Sequence, residues 1–427
     1  MRARLLANLN WLFVDRVLRL VGGLLVGVWI ARYLGPEQFG ILNYALAFVA
    51  LFGAVAKLGI DQVVIRDLTN TPEKQGAILG TIFALKLAAG LIALVLVFPA
   101  AWVAQGGDWS FMVLIAVVAA GMLFNALDAY DLYYQAHVLS RYVVYARSAS
   151  FLMFSVVRVA LILGEYPLVY FAAAATLEIA LGSAVLVWLY RRKHVTEQRW
   201  YFHRQTMVSL LKDGWPLIVS SALIAIHTRI DQVMIGQMLG HAEVGIYSAA
   251  IRLSESWLFV PLIIVQTVTP YLMKLRESNP QYYRARLLQL YSLMFWLGAL
   301  VAGATIVFGE FFVVLLFGEQ YRAAYLPLVL TIWTGIFISQ AVARGVWMVG
   351  ENLQGFRLAN NLVAVPMNIA LNWVLIPAYG VIGASMASLV SIGFSTWLFP
   401  FLFKPMRESN KQMLLSINPK YLLLGAR

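Results

Sequence analysis

ILGTIFALKLAAGLIALVLVFP, at positions 78–99, is a run of apolar residues with a single charged residue, Lys86, near its middle. As an α-helix it would be about 30 Å long, the thickness of the hydrocarbon core of a bilayer. Leu168–Tyr190 and Val381–Phe403 are runs of the same kind. Because 61% of the 427 residues are hydrophobic and 12% are charged, the composition excludes an ordinary soluble protein. We predict an all-α integral membrane protein.

Apolar runs of similar length recur along the chain and predict twelve transmembrane helices. Lysine and arginine collect in alternate loops, which the positive-inside rule places in the cytoplasm together with both termini. The opposite loops contain a single basic residue, Arg322; they lie near residues 34–38, 100–109, 164–167, 240–243, 310–323 and 379–380. The net charge of +12 is therefore explained by topology rather than by nucleic-acid binding. The predicted spans are 10–33, 39–60, 78–99, 110–134, 141–163, 168–190, 215–239, 244–273, 287–309, 324–349, 356–378 and 381–403.

The hydrophilic stretch Arg191–Asp213 divides the chain nearly in half. We predict a six-helix lobe with a basic linker at 1–204, a second six-helix lobe at 205–403, and a basic cytoplasmic tail at 404–427. The first helical hairpins of the two lobes have identical residue types at six aligned positions, and their glycines coincide with the predicted turns. The pattern predicts parallel repeats around a central cavity, which suits alternating access. The matched pairs are Ile30/Ile235, Leu34/Leu239, Gly35/Gly240, Gly40/Gly245, Ile41/Ile246 and Ala45/Ala250.

Ionisable residues occur within most spans, and the basic ones outnumber the acidic ones. A charge at the centre of a bilayer costs roughly 3 kcal/mol on the insertion scale, so these residues predict a wet, cationic passage for an anionic substrate. Lys57 and Arg344 lie near span ends and are interpreted as boundary residues. The candidate substrate-binding cations are Arg16, Arg19, Lys86, Arg147, Arg158, Arg229 and Arg252.

Arg147 and Arg158 are eleven positions apart, which places them on one face of a helix about 16 Å apart. Two cations on one face predict a track for an anion. The alternative is that each pairs with a carboxylate of a neighbouring helix, such as Glu178. For two further sets the alternative is a local ion pair within one helix, namely Asp15 with Arg19 and Arg252 with Glu255.

Acidic and amide side chains supply further candidates. Glu178, Asp231 and Glu255 are candidates for ion coupling, because a desolvated carboxylate can titrate near neutral pH. Asn125, Asp128 and Asp131 lie on one face near the cytoplasmic end of span four and form either a cation site or hydrogen bonds at a wet helix end. A polar stripe on span eleven either contacts a hydroxyl-rich substrate or bridges helices; its members are Asn361, Asn368 and Asn372.

The sequence lacks the motifs of the common membrane enzymes and pumps. It contains no cysteine, no HExxH, and no phosphate-binding loop of the GxxxxGK[ST] type. We therefore expect no cofactor, no bound metal and no catalytic residue, and an ATP-driven pump or a zinc enzyme is disfavoured. An integral-membrane polymerase or glycosyltransferase generally needs a sizeable outer loop with catalytic residues, and no predicted outer loop is long.

Four short segments follow one another in a characteristic order: Ala31–Gly40, Leu58-Gly59-Ile60 with Arg66, Leu316–Tyr321, and Asn372–Pro377 with Tyr379, Gly380, Gly383 and Ala384. They resemble the polysaccharide-transport family of O-antigen and lipid-linked oligosaccharide flippases, which belongs with the multidrug exporters to one superfamily. The resemblance implies a flippase that moves an undecaprenyl-pyrophosphate-linked glycan across the bacterial inner membrane, driven by a proton or sodium gradient, in contact with membrane lipids and polysaccharide-assembly proteins. We expect no nucleic-acid partner. A cation-coupled multidrug exporter of the same fold is the alternative.

Overall fold

The computed structural model describes residues 2–193, 199–353 and 355–422, with side chains described for Arg19 and from Val21 onward except Lys193. The described residues are almost entirely helical, and no strand occurs among them. Short 3₁₀ or π segments join several helices, of which Ala120–Leu127 connects α4 to α5. The helices are α1 (Arg2–Lys57), α2 (Asp61–Asn70), α3 (Gln75–Ala104), α4 (Trp109–Ala119), α5 (Asp128–Ala136), α6 (Ser140–Leu163), α7 (Leu168–Lys193), α8 (Arg204–Met238), α9 (His241–Ser256), α10 (Phe259–Ser278), α11 (Pro280–Phe317), α12 (Tyr325–Gly350), α13 (Phe356–Gly393) and α14 (Arg407–Leu415).

Ten helical segments of the described chain are long and apolar enough to cross a membrane, as expected for a multi-pass membrane protein. Two of them, Val21–Asn70 and Phe356–Leu402, are about twice as long as one crossing requires. Each contains a glycine with positive φ, at Gly35 (φ 69°) and at Gly380 (φ 61°), where the helix is interrupted. Both breaks fall where the sequence predicts a turn between spans. The total of twelve spans and the cytoplasmic position of the termini stay predictions.

Contacts divide the chain into two compact units. The first comprises Met1–Leu34 and Ile41–Val233, and the second comprises Gly35–Gly40 and Met234–Arg427. A buried core lies in each: that of the first includes Ile60, Leu79 and Tyr134, and that of the second includes Tyr291, Met294 and Met413. The division into lobes at 1–204, 205–403 and 404–427 stays a prediction.

The glycines that the two predicted repeats share allow close backbone packing within the second unit. A Cβ atom on Gly40 would lie 1.7 Å from the carbonyl oxygen of His241, and one on Gly245 would lie 2.1 Å from the carbonyl oxygen of Pro36. No side chain fits at such separations, so α1 after its break and α9 can approach this closely only through glycine. The coincidence of these glycines with the turns therefore has a packing cause.

The prediction that Arg344 is a boundary residue is wrong, since its side chain is only 4% exposed. Its guanidinium donates hydrogen bonds to the carbonyl oxygen of Thr396 and, at 3.2 Å, to Asn410 Oδ1, and it contacts the Met413 sulfur. Asn410 and Met413 belong to α14, which packs against α11 and α12 within the second unit. Because the acceptors come from segments more than fifty residues later, the position of Arg344 near a span end did not indicate its burial.

Candidate functional site

The first unit contains a buried cation, Lys86. Lys86, on α3, has no exposed side-chain surface, and its Nζ atom lies 2.8 Å from Asp61 Oδ1 and 3.6 Å from Asp128 Oδ2. Asp61 is the first residue of α2 and Asp128 the first residue of α5, where a carboxylate is favoured by the helix dipole. Since an unpaired buried ammonium is costly, the two carboxylates explain how a lysine is accommodated in this apolar helix.

A second ion pair lies one helical turn further along α5. Arg147, on α6, contacts the carboxylate of Asp131, and Gln135 Nε2 donates a hydrogen bond of 2.9 Å to the other oxygen of that carboxylate. The Asp131 side chain is 6% exposed, whereas the Arg147 side chain is 44% exposed. Arg147 is therefore paired with a buried carboxylate while much of its own side-chain surface is not covered by the protein.

Five residues make up what we call the ion cluster: Asp61, Lys86, Asp128, Asp131 and Arg147. They come from four helices, α2, α3, α5 and α6, which pack together in the first unit. Three are acidic and two are basic, so with all groups ionised the cluster has one carboxylate in excess. The sequence prediction of Asp128 and Asp131 as side chains at a helix end did not anticipate their cationic partners.

Arg158 forms the ion pair that the sequence left open as an alternative to a track. On α6, Arg158 lies 2.7 Å from a carboxylate oxygen of Glu178 on α7, and both side chains are partly buried. Such a pair neutralises both charges and joins α6 to α7. Both arginines therefore pair with a carboxylate of a neighbouring helix, as the alternative to a track expects. Arg147 is exposed and Arg158 is partly buried, and the role of either in substrate binding stays a prediction.

The other predicted ionisable residues are placed as follows. Arg19 is partly buried, Arg229 is exposed, and Asp231 is buried on α8. In the second unit the Arg252 guanidinium lies 5.6 Å from the ring centroid of Phe39, a cation–π arrangement, and Glu255 is exposed. The side chain of Arg16, like that of Asp15, lies outside the described residues.

The asparagine stripe of α13 is a buried hydrogen-bond chain. Asn372 Nδ2 donates to Asn368 Oδ1 at 3.2 Å, and Asn368 Nδ2 lies 3.3 Å from Ser388 Oγ. Asn368 precedes the break at Gly380 and Ser388 follows it, so these bonds join the two halves of α13. This arrangement fits the bridging alternative; Asn361 is partly buried on the same helix, and substrate contact stays a prediction for all three.

Asp61 is the member of the ion cluster that sequence reasoning missed. It follows Leu58 and Gly59, both of positive φ, which end α1 and allow α2 to begin at Asp61. The sequence signal for Asp61 is a carboxylate directly after such a break, next to the segment Leu58-Gly59-Ile60 that resembles the flippase family. Its partner could not be chosen from sequence, since Lys86 is 25 positions later. Within the described chain, no group of three or more His, Cys, Asp or Glu residues is arranged to hold a metal ion.

Comparisons with known proteins agree with this fold. Residues 5–276 match the profile of a family described as polysaccharide biosynthesis protein. The capsular polysaccharide biosynthesis protein CapF of Staphylococcus aureus is 21% identical over 408 residues, covering 90% of this chain and 95% of CapF.

Two solved structures share the fold. The lipid II flippase MurJ, in an inward closed conformation, superimposes with a TM-score of 0.70 at 14% identity, covering 95% of this chain and 90% of MurJ. An inward-facing multidrug resistance transporter of the MATE family superimposes with a TM-score of 0.69 at 15% identity, covering 94% of this chain and 96% of that one. At these identities the similarity establishes the fold and leaves the substrate open.

Proposed function

This chain belongs to the polysaccharide biosynthesis protein family, and on that basis we propose that it is a lipid-linked glycan flippase. The family is part of the predicted superfamily of polysaccharide and multidrug exporters. The proposed substrate is an undecaprenyl-pyrophosphate-linked oligosaccharide, such as an O-antigen or other polysaccharide repeat unit. The proposed place is the bacterial inner membrane, and the proposed mechanism is alternating access without catalysis. Membrane lipids and polysaccharide-assembly proteins are the proposed partners.

The observation that carries the proposal is the geometry of Arg147. The Arg147 side chain is 44% exposed within an apolar helix, and its counter-ion Asp131 is buried. An exposed cation of this kind is unfavourable in contact with lipid and favourable beside water or an anionic group. A guanidinium binds phosphate oxygens through two parallel hydrogen bonds. The pyrophosphate of a lipid-linked glycan is an anion of the matching kind.

Coupling to a proton or sodium gradient is part of the proposal. The candidate carboxylates are Glu178, Asp231 and Glu255. Glu178 is supported by its ion pair with Arg158, because binding of a proton to the carboxylate would remove the attraction between α6 and α7. Such a pair can therefore exist in a closed and an open form, which is the kind of two-state element that a transport cycle requires.

A cation-coupled multidrug exporter is the second candidate, and it is supported by the similarity to the MATE structure, which is as close as that to MurJ. An exporter of cationic drugs requires accessible carboxylates. The ion cluster has partly exposed carboxylates at Asp61 and Asp128 as well as the exposed Arg147, so the preference for an anionic substrate rests on Arg147 and on the family to which the chain belongs.

Reconstitution distinguishes the two candidates. The purified protein is placed in liposomes that carry an undecaprenyl-pyrophosphate-linked oligosaccharide on one leaflet, and its appearance on the other is followed with and without a pH or sodium gradient. We expect crossing that a gradient accelerates. Gradient-driven efflux of a cationic dye with no glycan crossing would instead establish the exporter.

A further inference from the structure

The second unit contains a cavity of about 590 Å³ that is separate from the ion cluster. Its walls come from the turn between α10 and α11, from the end of α12, and from the C-terminal segment that includes α14. Two arginines, Arg276 and Arg284, line it together with Tyr283. The apolar part of the wall includes Leu287 and Trp347.

Each of the two arginines is oriented by a glutamate. Arg276 Nε lies 3.1 Å from Glu351 Oε1, and Arg284 Nε lies 3.3 Å from Glu408 Oε1. In both pairs the arginine contacts the glutamate through Nε, and a guanidinium has five N–H donors. The terminal nitrogens of both arginines are therefore left as donors for a ligand at the cavity wall.

Tyr283 adds a third donor. Its side chain is 4% exposed, yet its buried hydroxyl has no hydrogen-bond partner among the described residues. A point in the space beside Gly350, where a Cβ atom would stand, is 3.5 Å from this hydroxyl and 3.2 Å from Arg276 Nε. The hydroxyl and the Arg276 side chain thus both lie beside Gly350, and an unsatisfied buried hydroxyl is costly unless a ligand or water accepts a hydrogen bond from it.

We propose that this cavity binds a phosphate-bearing ligand, with its phosphoryl oxygens held by Arg276, Arg284 and the Tyr283 hydroxyl. Two guanidinium forks and one hydroxyl match the several acceptor oxygens of a phosphate ester, and Leu287 and Trp347 suit the apolar part of the same molecule. The ligand is either the headgroup of a phospholipid or a soluble phosphate ester. The site is independent of the proposed transport function, since it shares no residue with the ion cluster.

Direct binding to the full-length protein in detergent tests the proposal with two probes. Glycerol 3-phosphate represents a soluble ester, and phosphatidylglycerol represents a lipid, with diacylglycerol as the lipid that lacks only the phosphorylated headgroup. The first is measured by equilibrium binding of the labelled compound, and the second by retention in native mass spectrometry. We expect at least one phosphorylated probe to bind to the wild type.

Variants of the protein distinguish binding in this cavity from nonspecific electrostatic attraction of an anion. Arg276→Gln with Arg284→Gln should weaken binding at least about 10-fold, and Tyr283→Phe, which keeps the ring packing, about 5-fold. Arg322→Gln is the control. Arg322 is an exposed arginine that also pairs with glutamates, Glu310 and Glu319, but it does not line the cavity. This variant should bind the probes as the wild type does. Binding of glycerol 3-phosphate identifies a soluble ligand, and binding of phosphatidylglycerol alone identifies a lipid. Equal binding by the wild type, the arginine double variant and Tyr283→Phe would overturn the proposal.

Discussion

The ammonium nitrogen of Lys86 lies 2.8 Å from Asp61 Oδ1, although Lys86 has no exposed surface and the Asp61 side chain is 47% exposed. The second carboxylate, Asp128, is also partly exposed. Within the ion cluster, Lys86 is therefore a buried cation whose two partner carboxylates are better hydrated. This asymmetry matters because water can solvate the carboxylates if the lysine is removed, whereas the lysine has no comparable substitute for its carboxylates.

Removing the two carboxylates should cost more stability than removing the lysine. Asp61→Asn with Asp128→Asn leaves a buried ammonium unpaired, and we expect the free energy of unfolding to fall by about 3–5 kcal/mol. Lys86→Met leaves carboxylates that can hydrate, and we expect a loss of about 1–2 kcal/mol. Equilibrium unfolding in mixed detergent micelles measures both. A larger loss for Lys86→Met than for the double variant would contradict this arrangement.

The Arg158–Glu178 pair should show strong energetic coupling. In a double-mutant cycle with Arg158→Met and Glu178→Met, we expect a coupling energy of about 1–3 kcal/mol, because both groups are partly buried and 2.7 Å apart. The exposed pair Arg322–Glu310 is the matched control and should give less than about 1 kcal/mol. Similar values for the two pairs would show that Arg158 and Glu178 are solvated like surface residues.

Gly40→Ala should disrupt the packing of α1 against α9. The added Cβ atom would overlap the carbonyl oxygen of His241, so we expect the free energy of unfolding to fall by at least about 3 kcal/mol. Gly303→Ala is the control within the same unit, since nothing lies within 4 Å of its Cβ position, and it should be neutral or slightly stabilising. Thermal unfolding of both variants checks the difference, and equal melting temperatures would rule out the close packing.

Arg344 should destabilise the fold when the C-terminal segment is absent. A chain ending at Lys404 lacks Asn410 and Met413, which contact the buried guanidinium, and we expect a loss of about 3 kcal/mol in unfolding free energy. Adding Arg344→Met to the truncated chain should restore part of that loss, whereas the same substitution in the full chain should destabilise it. If Arg344→Met had the same effect in both backgrounds, the contacts to α14 would be energetically irrelevant.

Much of the fold was predictable, because hydrocarbon thickness fixes the length of apolar runs and glycine marks their ends. The breaks at Gly35 and Gly380 fall at predicted turns for that reason. The helices nonetheless extend beyond the predicted spans: α11 covers Pro280–Phe317, whereas hydropathy indicated 287–309. The first residues of α11, 280–286, are largely polar and carry no hydropathy signal, whereas its last residues, 310–317, are mostly apolar but belong to the predicted outer loop 310–323.

The pairing of charges was much less predictable than their presence. Periodicity placed Arg147 and Arg158 on one face, but it could not show that Asp131 and Glu178 lie beside them. Glu178 was named as a possible partner because the list of acids within the spans is short. Asp61 and the contacts of Arg344 were missed because both depend on segments brought together only by folding.

The most direct test of the proposed function is the initial rate of gradient-driven translocation of an undecaprenyl-pyrophosphate-linked oligosaccharide in liposomes. Wild type, Arg147→Gln and the exposed-arginine control Arg322→Gln are compared at equal protein incorporation. A guanidinium that binds the pyrophosphate predicts a rate at least about 10-fold lower for Arg147→Gln and an unchanged rate for Arg322→Gln. Wild-type translocation by Arg147→Gln would contradict the assignment of Arg147 to the substrate path.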